Sequence, residues 1–263
     1  MARVVVFQGA QRSGTSWLLS LLQGQPGLAV RWGELLHPST FDFGYVTFYL
    51  RAMDSLLRDA EPGWLERSDP TFNYYAVREQ IARDYLRSLG EGAEDERLLI
   101  HVKLEQMDYF PEFPQALYSA DVDFLILKRM NVLAQVVSGA VMRSTGVSHY
   151  TAGAAPHPVR LSLDPRSVLS QMREVSELQA RYARRAESSG GRCINVVYED
   201  LVAEGPEAVL VPAFEALGIT VSGLASDRVK SPTPPLSELL ENYDEIRAAV
   251  LASEFDYTLS LPE

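Results

Sequence analysis

The chain has 263 residues, a formal net charge of −11, 46% hydrophobic residues and 22% charged ones, which suits one large domain with a full core. The acidic excess argues against general binding to nucleic acid or to an anionic membrane, because both need a basic footprint. No stretch reaches the ~18 apolar residues of a membrane span, and Cys193, the single cysteine, excludes an intrachain disulfide, so a reducing, cytoplasmic setting is expected.

In chain order, short β-rich apolar runs alternate with longer helical patterns, the mark of an α/β domain built on a parallel sheet. Strands are expected at 3–7, 28–31, 98–103, 122–127 and 194–197. Helices are expected at 15–22, 73–89, 132–143, 165–185 and 207–217, with a last pair at 236–241 and 243–252. The run at 4–7 is too short for a signal-peptide core and serves as the first strand. Cys193 falls in the last strand, where a core role is expected. The glycine-containing segments at 90–93 and 188–191 read as turns before strands, which leaves one domain over residues 1–263.

Two stretches resist this scheme. Residues 37–75 are crowded with aromatics, and residues 146–164 are loop-like. Long irregular segments in a compact domain tend to be lids or binding loops. Both are therefore candidate acceptor-binding insertions, with His37, Phe41, Tyr45 and His149 as candidate substrate contacts.

The sharpest motif is Gly9-Ala10-Gln11-Arg12-Ser13-Gly14-Thr15-Ser16, between the first strand and the first helix. Both glycines and the final hydroxyl match a nucleotide P-loop, but Thr15 stands where the lysine belongs. The fold class expected is thus α/β with a P-loop-type parallel sheet flanked by helices. Free N–H groups and the helix dipole favour an anion at such a loop, and Arg12 is its only cation. A phosphotransferase needs the missing lysine on its phosphates and a metal beside it. A sulfuryl group carries less charge than a phosphoryl group, so its transfer can proceed without a metal.

The second motif begins where the fourth strand ends. Arg129 lies at its carboxyl end, where open α/β sheets bind ligands, and Ser138 follows nine residues later, about two and a half helical turns on. Spacing alone leaves open whether the two meet at one phosphate or are an ordinary surface arginine and a helix hydroxyl.

At this point the sequence resembles the sulfotransferases that use 3'-phosphoadenosine 5'-phosphosulfate (PAPS), in particular the bacterial branch of nodulation-factor and trehalose sulfotransferases. The resemblance rests on segments in order: Gln11 to Ser16, Gly33-Glu34-Leu35-Leu36, Arg129 to Ser138, Tyr198-Glu199-Asp200-Leu201, Pro235-Leu236-Ser237-Glu238 and Glu241-Asn242-Tyr243-Asp244-Glu245. It implies that Arg12 and the backbone of Ser13, Gly14, Thr15 and Ser16 hold the 5'-phosphosulfate, and that Arg129 and Ser138 hold the 3'-phosphate. It further implies that Tyr198 lies near the adenine, with core packing behind the strand as the other reading. Lys230 would close over the 3'-phosphate, although the Arg-Lys-Gly loop of the cytosolic eukaryotic branch is absent here. The donor implied is PAPS and the product 3',5'-bisphosphoadenosine (PAP), with no metal and a small-molecule hydroxyl acceptor.

The same resemblance makes Glu34 the expected base, with Glu105 as the alternative because it replaces the histidine of a Lys-x-His pattern at Lys103-Leu104-Glu105. Lys103 either supports the sulfuryl group in flight or forms a structural ion pair with Glu105 or Asp108. His101 is expected to pack within its strand. Two other classes stay open: an ATP-dependent P-loop phosphotransferase, opposed by Thr15 and by the lack of an aspartate ending an apolar strand, and an inactive nucleotide-binding protein.

Overall fold

The structure, a computed structural model, describes residues 4–31, 33–37, 44–59, 74–90, 97–147, 159–226 and 234–262. Its sheet contains β1 (Val4–Gly9), β2 (Leu28–Arg31), β3 (Arg97–Lys103), β4 (Asp123–Lys128) and β5 (Cys193–Val197). The order is β2-β3-β1-β4-β5, and every neighbouring pair runs parallel. In sequence, α1 (Thr15–Leu22) follows β1, and α2 (Tyr45–Asp59) and α3 (Tyr74–Leu89) fall between β2 and β3. The short α4 (Leu104–Met107) and α5 (Glu112–Tyr118) precede β4, while α6 (Val132–Thr145) and α7 (Pro165–Glu187) precede β5. After β5 come α8 (Tyr198–Ala203), α9 (Pro206–Ala216), α10 (Leu236–Leu239), α11 (Tyr243–Leu251) and a 3-10 turn at Asp256–Ser260.

The central strand explains the layering. All six residues of β1 are buried, as expected of a parallel strand covered on both faces. Side chains alternate between the faces with period two. Val4 and Val6 join Leu98, Ile100, Phe124 and Ile126 under α3, α5 and α7. Val5 and Phe7 join Leu99, Leu125 and Leu127 under α1 and α9. A third cluster packs α6 and α7 against α10 and α11.

The helix ends follow local chemistry. Asp164 caps α7 by accepting from Arg166 N and Ser167 N at 3.3 and 3.1 Å, with Pro165 in the first turn and Arg184 and Arg185 in the last. Asn131 caps α6 through Ala134 N at 2.9 Å, and that helix ends on Gly146 in a left-handed conformation. None of the described helices is long and apolar enough to cross a membrane.

The order of strands has one consequence for function. The chain leaves β1 toward β3 and β2, then crosses back to β4 on the other side. The carboxyl ends of β1 and β4 therefore flank a topological switch point, where open α/β sheets form their ligand crevice.

The opposite end of β4 is tied by charge. Asp123 is fully buried and takes Arg192 Nε and Nη2 at 3.2 and 2.7 Å, while the same guanidinium reaches Ala216 O and Leu217 O at the end of α9. This aspartate staples β4, β5 and α9 at the amino edge, away from the crevice. Asp123→Ala is expected to cost about 2–4 kcal/mol of unfolding free energy in denaturant titration. That is at or below the ~3–5 kcal/mol of a fully buried pair, because Arg192 keeps solvent access and its two carbonyl acceptors.

Candidate active site

The loop after β1 is tightly folded on itself. A Cβ on Gly9 would stand 2.5 Å from Thr15 Cγ2, so only glycine lets the loop return over the strand end. Ser13 is fully buried, and both its N–H and its hydroxyl donate to Ala10 O, at 3.2 and 2.7 Å. Its N–H is thus engaged within the loop. Gly14, at φ +92°, precedes α1 without a side-chain cap, and the first turn carries no acidic residue. The N–H groups of that turn have no helical acceptors, and the dipole there favours negative charge.

Arg12 adopts φ +63°, the sole non-glycine positive φ among the described residues. Such a conformation costs on the order of 1–2 kcal/mol and persists only where its surroundings impose it. Here three groups do so. Arg129 Nη1 donates to Arg12 O at 3.0 Å, Arg12 Nε donates to Ser138 Oγ at 3.1 Å, and the backbone N–H and C=O of the preceding residue, Gln11, are both held, as described below. Arg129 and Ser138 thus both bond Arg12, one at its carbonyl and the other at its guanidinium.

Arg129 is only 9% exposed, and its guanidinium carbon lies 4.8 Å from the Tyr198 ring centroid. Burial lowers the pKa of this arginine, with the Tyr198 ring and Glu199 opposing the shift. Its Nε is buried without a hydrogen-bond partner among the described residues. The Tyr198 ring also covers the loop, since a Cβ on Gly14 would stand 2.6 Å from its Cδ2 and Cε2. Tyr198 packs in the core behind β5, as one of its two readings had it, and the same ring lies against Gly14 of the loop. Glu199, which spacing did not single out, accepts from Met130 N and Asn131 N at 3.0 and 2.8 Å and so fixes the turn after Arg129.

A second group lies across the edge of the sheet. Glu34 pairs with Lys103 and accepts from Gln106 Nε2 at 2.5 Å. Burial pushes this carboxyl up, but the Lys103 ammonium and the Gln106 amide outweigh it and hold the pKa below the ordinary 4.5. Lys103 thus pairs with Glu34, where the sequence pointed to Glu105 or Asp108; Asp108 instead takes Arg181 and Tyr182. His101 is buried against Phe7 with ring centroids 5.2 Å apart, and burial beside the Lys103 charge lowers its pKa to about 4. It is a neutral packing residue, as expected.

The two candidate bases differ in access. The Glu34 side chain retains 26% exposure. Glu105 has Oε1 on Gln11 N at 2.6 Å and Oε2 sealed without a partner among the described residues. Of the two carboxylates, Glu34 is the more accessible to solvent. Of the acceptor candidates, His37 follows Glu34 on the same turn, with its N–H on Glu34 O at 2.9 Å. Tyr45 requires correction: it is fully buried, its hydroxyl donates to Glu112 Oε1 at 3.1 Å, and its ring packs among Tyr49, Tyr85, Phe110 and Phe113. It opens α2, whose aromatic face turns inward. Phe41, His149 and Lys230 lie outside the described residues.

No family model matches the chain, and no curated protein does. Solved structures do match. The sulfotransferase from Alicyclobacillus acidocaldarius aligns with 99% of this chain and 94% of its own, at 19% identity and a TM-score of 0.52. The sulfotransferase domain from the Synechococcus PCC 7002 olefin synthase aligns over 89% and 82%, at 17% identity and a TM-score of 0.47. A sulfotransferase from Mycobacterium tuberculosis H37Rv aligns over 85% and 69%, at 15% identity and a TM-score of 0.39. Over nearly its whole length the chain shares the α/β fold of the Alicyclobacillus sulfotransferase.

Proposed function

We propose that the protein is a sulfotransferase that takes its sulfuryl group from PAPS and delivers it to a hydroxyl of a small acceptor. Arg129 is the observation that carries this reading. It is a buried cation, braced by the Tyr198 ring and the Arg12 carbonyl, whose Nε lacks a partner among the described residues. A buried donor without an acceptor is costly, and an anion bound beside it removes that cost. In this reading the anion is the 3'-phosphate, which distinguishes PAPS from ATP.

Ser138, whose oxygen already accepts from Arg12, keeps its own proton to donate to the same phosphate. Tyr198 lies alongside the adenine. The 5'-phosphosulfate rests against the backbone from Gly14 to Ser16, with Arg12 as the nearby cation. Bound PAPS supplies the sulfuryl group and a bisphosphate that leaves with the bonding electron pair.

The remaining work belongs to the chain's own residues. Glu34, ionised and partly exposed, takes the proton from the acceptor hydroxyl. Lys103 holds that carboxylate in place and brings positive charge toward the oxygens at the transfer point. A positioned base contributes typically ~10²–10⁴-fold, and cations and N–H donors stabilise the departing oxygen. A glutamate base after β2 fits the bacterial branch that sulfates glycans. A glycan, glycolipid or secondary metabolite is the proposed acceptor, and the reducing cytoplasm is the proposed location.

Three outcomes are expected. Arg129→Ala should weaken PAP binding about 10–100-fold, the loss of a charge-assisted hydrogen bond worth ~1.5–3 kcal/mol, while ADP affinity changes far less. Equal losses in calorimetry would refute the 3'-phosphate assignment. Glu34→Gln should lower turnover by ~10²–10⁴-fold with PAP affinity retained, and a turnover near wild type would remove Glu34 as base. In the free enzyme the Glu34 pKa is depressed, so the base form persists as pH falls from neutrality. The acid limb of kcat/KM should therefore lie below 4.5. A limb above 4.5 would assign the proton to Glu105, whose pKa burial raises.

A further inference from the structure

The backbone of Gln11 receives more support than that of an exposed loop residue ordinarily would. Its N–H donates to Glu105 Oε1 at 2.6 Å, and its C=O accepts from Gln135 Nε2, also at 2.6 Å. Gln135 is 2% exposed, and its own amide oxygen accepts from Gln179 Nε2 at 3.3 Å in a buried contact. The next carbonyl, that of Arg12, is taken by Arg129. One side of this clamp comes from α4, directly after β3, and the other from α6, backed by α7.

We propose that Glu105 and Gln135 are positioning residues that hold the two peptide groups flanking Gln11, and through the second of them Arg12, in the left-handed conformation that an anionic nucleotide requires. The inference rests on the sulfotransferase reading and deepens it, because it gives Glu105 a role other than base. The energetics are consistent. A left-handed arginine is unfavourable, and two hydrogen bonds, one of them to a carboxylate, act on the residue before it and oppose that cost. Without them Arg12 relaxes to negative φ, its side chain leaves Ser138, and the loop loses its only cation.

The base and clamp roles predict different behaviour for conservative variants. Glu105→Gln keeps an oxygen for Gln11 N–H but cannot take up a proton. Glu105→Ala removes the acceptor altogether. The clamp therefore predicts that Glu105→Ala weakens PAP binding at least tenfold in calorimetry and that Glu105→Gln restores it to within about threefold of wild type. Gln135→Met, which keeps side-chain volume and removes the donor, should weaken PAP binding like Glu105→Ala. The double variant Glu105→Ala/Gln135→Met should lose less than the two single losses combined, because both act on the backbone of one residue.

Amide hydrogen exchange at Gln11, measured without nucleotide on variants that melt cooperatively, gives a readout independent of PAP. The Gln11 amide should be protected in wild type and in Glu105→Gln, and should exchange freely in Glu105→Ala. Unchanged Gln11 protection in Glu105→Ala would overturn the clamp, and so would wild-type PAP affinity in both Glu105→Ala and Gln135→Met. Loss of turnover in Glu105→Gln and Glu105→Ala alike, with PAP affinity intact in both, would return Glu105 to the role of base. If the wild-type protein itself fails to bind PAP, the sulfotransferase reading falls, while the exchange measurement still decides whether the clamp exists.

Discussion

The parallel pairing of β1 with β4 sets Gly9 opposite Leu127 at the carboxyl edge of the sheet. From that register the loop opening at Gly9 and the turn opening at Lys128 emerge side by side. Arg129 can then reach the carbonyl of Arg12, a residue 117 positions away in sequence, with a single 3.0 Å hydrogen bond. β3, on the other flank of β1, sets Lys103 opposite Gly9 and so delivers Lys103 and Glu105 to the same edge. Three consecutive strands of the sheet thus each contribute one group of chemical interest, and the hydrophobic layers above and below fix their spacing.

Charge follows the same geometry. A chain with a net charge of −11 must hold an anionic ligand by local means, and the cations at this edge are each individually held. Arg12 rests on Ser138, Arg129 on the Tyr198 ring, and Lys103 on Glu34. Burial makes the positive charge of Arg129 costly, yet a low dielectric also strengthens any interaction an anion makes with it. The buried amides of Gln135 and Gln179 add rigidity without adding charge. The resulting site is stiff where the nucleotide would lie and more open at Glu34.

Much of this was legible in the sequence, for physical reasons. The β1 run and the glycines at 9 and 14 have few alternatives to a strand, a tight loop and a helix start, and α1 falls at Thr15–Leu22 as read. The remaining strands are short apolar runs bounded by turn residues, and all five are found in the sheet. Within the aromatic stretch after His37, Tyr45 read as a substrate contact, but it lies with Phe48 and Tyr49 on the inward face of α2, packed against Tyr85, Phe110 and Phe113. Aromatics at helical spacing carry no label that separates core from ligand contact. The short helices α4, α5 and α8 span 4, 7 and 6 residues, too few to show a period. The partners of Lys103 and Gln11 were equally hidden. Glu34 lies 69 positions from Lys103, and Gln135 lies 124 from Gln11, so only the folded sheet brings them together.

In the proposed function, the crevice between β1 and β4 reads a 3'-phosphate. The most direct test is calorimetric binding of PAP and of ADP to the purified wild-type protein without added metal. Micromolar or tighter PAP binding, with ADP weaker by at least tenfold (about 1.4 kcal/mol), is the expected result. Equal affinity for the two nucleotides, or binding only of ATP together with magnesium, would contradict it and bring the phosphotransferase reading forward.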